Sequence, residues 1–156
     1  MRECVTFFVP GVPVSQGSMT SFVVGRRQAD GSVLNARAVT TAANKGRLNE
    51  WRRTVQDAAA VVFTATPSEE PAAVGLCFVM PRPRTVSRAW PGVRPDIDKL
   101  ARAVLDALTG VAYRDDACVV MLMASKVYGD GDACGVTVVV ADPTDASMAG
   151  LRCPWR

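Results

Sequence analysis

The sequence predicts an α/β (α+β) fold, a mixed four-stranded sheet with helices on one face in the order β-α-β-α-β-β. Three observations carry that expectation. Four runs are dense in β-branched and aromatic residues, two longer segments repeat apolar residues at helical spacing, and clusters of Pro, Gly and Asp separate them. Elements that alternate in this way bury one sheet face against a helical layer.

Cys4 to Val9 (CVTFFV) is the first strand, and Pro10-Gly11 stops it. Residues 11–46 are rich in Gly, Ser, Thr and Ala and predict a long binding loop with room for a hairpin. From Leu48 to Phe63, the residues Leu48, Trp51, Val55, Ala58, Ala59 and Val62 recur at helical spacing and give the first helix. Val74 to Met80 reads as a buried second strand. Pro81 to Pro95 carries four prolines and four arginines, so it is an extended basic loop: proline fixes φ and removes an N–H donor. In the second helix Ile97, Leu100, Ala101, Val104, Leu105 and Leu108 share one apolar arc, and Gly110 ends it. A third strand from Ala117 to Val127 and a fourth from Cys134 to Val140 flank the turn Gly129 to Asp132, and their proximity predicts a hairpin. The reading is one domain over residues 1–141 and a flexible tail over 142–156.

Composition narrows the chemistry. No apolar run reaches the roughly 20 residues that span a bilayer, and the start of the chain does not read as a signal peptide, so the expectation is a cytoplasmic protein with no membrane partner. Five cysteines, widely spaced and without a CxxC pair, suggest neither a disulfide framework nor a zinc site and read as buried small hydrophobes. Histidine is absent, which removes the usual general base and every Ser-His or Cys-His nucleophile. Any metal chemistry must rest on carboxylates. Net charge is only +3, but it is unevenly distributed. Arg2 to Arg53 holds eight basic residues against three acidic ones, and Arg82 to Arg102 holds six against two. Such clustering suits phosphate binding, with Arg26, Arg27, Arg37, Lys45, Arg82, Arg84, Arg88, Arg94 and Lys99 as candidate DNA contacts.

The acidic residues complete the picture. Asp96 and Asp98 bracket the start of the second helix. Singly, the first is a good N-cap and the second complements the helix dipole. Asp106 lies opposite the apolar arc and reads as a solvated side chain, while Asp115-Asp116 precedes a strand, where aspartates make turns. Together, several carboxylates with no histidine and a basic surround suit a hard cation engaged in phosphodiester hydrolysis. Lys99, Arg102 or Lys126 could then steady the transition state.

The run Arg94-Pro95-Asp96-Ile97-Asp98-Lys99-Leu100, followed by Ala103 to Gly110 and by Tyr113-Arg114-Asp115-Asp116-Ala117-Cys118-Val119, resembles the signature of RusA-family Holliday junction resolvases. Val9 to Pro13 and Lys126 add weaker support. The resemblance implies a RusA-like fold with Asp96, Asp98 and Asp116 as metal-binding catalytic carboxylates and Asp115 as an accessory. It also implies Mg²⁺ (or Mn²⁺) as cofactor, no small-molecule cofactor, a homodimer, four-way junction DNA as substrate, and a phage or prophage origin. Lys99 stands where the family usually has asparagine, and Arg102 where it has a catalytic helix lysine. Two other readings stay open: a junction-binding protein with weak or lost catalysis, and a nuclease for flaps or forks. The second helix is long enough, on the order of 17 Å from Asp98 to Thr109, to hold Asp116 away from Asp96 and Asp98. A two-fold dimer could bring them together between chains.

Overall fold

The structure, a computed structural model, describes residues 4–17, 19–27, 33–42, 45–129 and 133–145. In chain order the elements are β1 (Val5–Pro10), β2 (Met19–Arg27), β3 (Val33–Ala42), α1 (Lys45–Val62), β4 (Ala72–Met80), α2 (Ile97–Leu108), β5 (Val119–Tyr128) and β6 (Gly135–Ala141). A 3-10 turn at Asp116–Cys118 precedes β5.

Strand β4 organises the sheet. Its sequence AAVGLCFVM offers neither face to water, and all nine residues are buried, as expected of a central strand covered on both sides. The sheet order is β1-β6-β4-β5. β6 runs antiparallel to both β1 and β4, whereas β5 runs parallel to β4. The carboxyl ends of β1, β4 and β5 therefore share one edge of the sheet.

Alternate residues of β4 and β6 separate the two faces. Val74, Leu76, Phe78 and Met80 join Val136, Val138 and Val140 in a core that also takes Leu48, Trp51 and Val55 from α1 and Leu100, Val104 and Leu108 from α2. Both helices thus lie on one face, which is the expected fold class. The opposite face buries Ala73, Cys77, Val79, Val127 and Val139. Among the described residues no helix is long and apolar enough to cross a membrane.

Several expectations are corrected. The last two strands do not form a hairpin, because β4 is inserted between them. A uniformly apolar strand gains most from a central position, and local proximity in sequence yields to that burial. The segment after β1 holds the hairpin for which the sequence left room, and is otherwise more regular than a loop: β2 and β3 pair as an antiparallel ribbon with an irregularity between Val24 and Arg26. The interspersed Gly, Arg and Asn obscure its strand character in the sequence. The third strand begins at Val119, not Ala117, because Asp115 accepts a hydrogen bond from the Ala117 N–H (2.8 Å) and winds the chain into the 3-10 turn. Asp106 is half-buried in an ion pair with Arg52. The cysteines are not uniformly buried either: Cys77 and Cys134 are buried, but Cys118 is half-buried and Cys4 is exposed. Of the expected tail, only Asp142 to Asp145 is described, as a turn closed by the Asp142 carboxylate on the Thr144 N–H. The remainder lies outside the described residues.

Phe78 is fully buried at the centre of this core. Replacing Phe78 with alanine is expected to cost about 3–5 kcal/mol in unfolding free energy, read as a lower urea midpoint. A loss under about 1 kcal/mol would contradict its central position.

Candidate active site

The chain enters α2 through the cis Arg94–Pro95 bond. Asp96 occupies the N-cap position with an extended backbone (φ −70°, ψ 141°), and its carbonyl accepts the Leu100 N–H at 3.1 Å. Its carboxylate makes no capping hydrogen bond, unlike an aspartate whose role is to satisfy the first helical N–H groups. Instead the Lys99 ammonium lies 3.0 Å away. That hydrogen bond, then the Lys99 charge, hold the Asp96 carboxyl below the usual carboxylate range; Arg94 and Lys126 add to the effect, and slight desolvation opposes it. Asp98 follows in the first helical turn, exposed.

Lys126, on the helix-covered face of β5, donates to the carbonyls of Val93 (3.0 Å) and Pro95 (2.9 Å). It fastens the end of the basic loop to the sheet directly before Asp96. Gln16 does the same from the other side, its N–H bonding the Lys99 carbonyl at 3.0 Å. The Gln16 side chain accepts from Arg52 of α1, which in turn pairs with Asp106 of α2. The start of α2 is therefore held by Lys126 and Gln16, and its far half by Arg52.

Asp115 and Asp116 lie elsewhere. α2 runs antiparallel to β5, so its start meets Lys126 near the carboxyl end of β5. Tyr113 bridges to Thr109 just beyond the other end, and its hydroxyl donates to the Leu105 carbonyl at 3.0 Å. Gly110 takes the left-handed conformation there (φ 78°) that a helix end requires. Asp115 is occupied in closing the 3-10 turn, while Asp116 is exposed. One protomer thus brings Asp96, Asp98, Lys99 and Lys126 to one end of α2 and leaves Asp115 and Asp116 beyond the other, the helix itself rising about 17 Å from Asp98 to Thr109. Among the described residues no three Asp, Glu, His or Cys gather closely enough to hold a metal ion.

Beside Asp96, at the carboxyl edge of the sheet, opens a cavity of about 410 Å³ whose lining includes Val14, Arg47, Arg88, Arg94, Lys126 and Tyr128. Arg82 stacks over the Tyr128 ring, 4.8 Å from its centre, and Arg88 donates to the Tyr128 hydroxyl at 3.0 Å. Arg84 and Arg94 are exposed on the same loop, Lys45 is exposed at the first residue of α1, and Arg102 is exposed on α2. Arg26 and Arg27 sit on β2 and Arg37 on β3. Sequence reasoning missed Arg47, Tyr128 and the Gln16–Arg52–Asp106 link. For Arg47 the local basic excess was a usable signal, but nothing local marks the other contacts, which join residues far apart in the chain.

Residues 26–141 match the family model described as Endodeoxyribonuclease RusA. The chain is also 26% identical over 140 residues to the uncharacterized protein YqaN of Bacillus subtilis (strain 168), a match covering 82% of this chain and 90% of that protein. The chain belongs to the RusA family of endodeoxyribonucleases.

Proposed function

We propose that this chain is a Mg²⁺-dependent Holliday junction resolvase that makes paired phosphodiester cuts, with Asp96, Asp98 and Asp116 as metal ligands. The observation that carries the reading is the start of α2, where an N-cap aspartate is released from capping and held ionised beneath a basic loop. The donor set fits the cation: Mg²⁺ takes one or two protein carboxylates, keeps several waters and prefers oxygen, and Asp96 and Asp98 supply hard oxygens where histidine is absent. When bound, Mg²⁺ supplies Lewis acidity toward a phosphoryl oxygen and lowers the pKa of a coordinated water.

The protein's own groups do the rest. Asp96 stays ionised and so remains a ligand at mildly acidic pH. Lys126 keeps the Pro95 carbonyl and the following Asp96 in place and leaves positive charge near the scissile phosphate. Arg102 carries charge on the turn after Asp98, but a guanidinium does not readily release a proton, so its part is electrostatic. The arginines of the Pro81 to Pro95 loop meet phosphates, and binding should weaken with salt. A homodimer would match the symmetry of a four-way junction and its paired cuts.

One observation favours a second reading. The Lys99 ammonium is itself a cation against Asp96, and its competition with metal would give a junction-binding protein that cuts weakly.

With Mg²⁺, the protein should nick a synthetic four-way junction and leave matched linear duplex intact, with no nicking in chelator. Asp98→Asn should lower nicking at least about a hundredfold while junction binding by gel shift is kept. Tight binding without nicking by the unsubstituted protein would select the second reading. Lys99→Ala should raise the Asp96 pKa toward the ordinary carboxylate range, followed by carboxyl carbon NMR, since it removes the main group favouring the charged form. An unmoved titration would show that Lys99 is not the cause.

A further inference from the structure

The cavity beside Asp96 has a chemistry that phosphate contacts alone do not use. Met80 and Tyr128, cross-strand neighbours at the carboxyl ends of β4 and β5, line it on the sheet side. Val14, Val93 and five prolines add apolar wall, and the four cations described above stand among them. None of the described residues that line it is a carboxylate. Its volume of about 410 Å³ falls in the roughly 300–1,000 Å³ range of ligand sites. A surface that only tracks phosphates needs positive charge but no apolar enclosure. Apolar walls, an aromatic ring and cations without an anion suit a flat base joined to a phosphate, which describes one nucleotide taken out of its stack.

The walls are also rigid. Proline fixes its own φ, and Lys126 ties down the carbonyls of Val93 and Pro95. Arg82 covers the Tyr128 ring and Arg88 holds its hydroxyl, so the ring is set in place as part of the wall. Binding therefore has little left to order.

We propose that this cavity captures one nucleobase unstacked at the branch point of the DNA, against Tyr128, with the adjoining phosphates on Arg47 and Arg94. The proposal rests on the branched-DNA reading above but not on cutting. Removing a base from a continuous duplex is unfavourable, and least so where pairing or stacking is already interrupted. Capture thus selects branched over linear DNA. Arg94 and Pro95 line the cavity and Asp96 follows them directly, so the captured nucleotide sets which phosphodiester lies at the start of α2.

Photo-cross-linking tests this. A four-way junction carrying 5-iodouracil at the branch point is irradiated with the intact protein in chelator, and the joined peptide is identified by mass spectrometry. The C–I bond breaks, uracil C5 bonds to a ring carbon of an adjacent tyrosine, and HI is lost. A cross-link to Tyr128 is expected from the junction and from a duplex with one unpaired 5-iodouracil, and none from matched duplex. The protein should bind that bulged duplex about tenfold more tightly than matched duplex. Val93 is 49% exposed, so Val93→Trp fills the cavity without disturbing the core. It should cut the preference below about twofold, with circular dichroism and matched-duplex binding unchanged. Cross-links that map away from Tyr128 in fully bound junction, or a bulge preference that survives Val93→Trp, would overturn the proposal. A protein that captures the base without ever cutting loses the nuclease reading and keeps this one, whereas one that cuts without the Tyr128 cross-link does the reverse.

Discussion

Helix α2 packs along β5 in the opposite direction, and its length governs where every candidate carboxylate can stand. Twelve residues at 1.5 Å each separate its ends by about 18 Å. The helix cannot shorten or slide, because Leu100, Ala103, Val104, Ala107 and Leu108 are all buried against the sheet. Whatever sits before its first turn is therefore remote from whatever follows its last. Asp96 and Asp98 fall on one side of that division and Asp116 on the other. The same rigidity that makes the fold stable makes a single subunit an incomplete metal site on our reading.

The start of α2 shows how the fold sets electrostatics without deep burial. Lys126 and Gln16 fasten it from two different elements, so the Asp96 carboxylate is positioned although it is solvent-exposed. Its ionisation is favoured by neighbouring positive charge, chiefly Lys99, and such an arrangement needs no hydrophobic pocket. The cost is competition, because a lysine that stabilises an anion also stands where a metal ion would approach. This balance sets Lys99 apart from the asparagine that the family resemblance implies for its position.

Much of this was legible in the sequence for identifiable reasons. Both helices announce themselves through a continuous apolar arc, and the central strand through an unbroken apolar run at Val74 to Met80. The density of Asp, Arg and Lys between Arg94 and Asp116 marks the site. Sheet order was not legible, since the insertion of β4 between β5 and β6 depends on burial summed over the whole sheet and not on the turn that joins those strands. Nor were the links between Arg52 and Asp106, 54 positions apart, or between Lys126 and Pro95, 31 apart. The exposed run on β5 reads in sequence as an ordinary strand, and only its place at the sheet edge distinguishes it.

The central claim is that Asp96 and Asp116, although far apart in one chain, serve the same ion. Mn²⁺ binding to the intact protein, followed by electron paramagnetic resonance and without DNA, tests it most directly. The account predicts that Asp116→Asn weakens Mn²⁺ affinity to a similar extent as Asp96→Asn. Wild-type affinity in Asp116→Asn beside a clear loss in Asp96→Asn would contradict it.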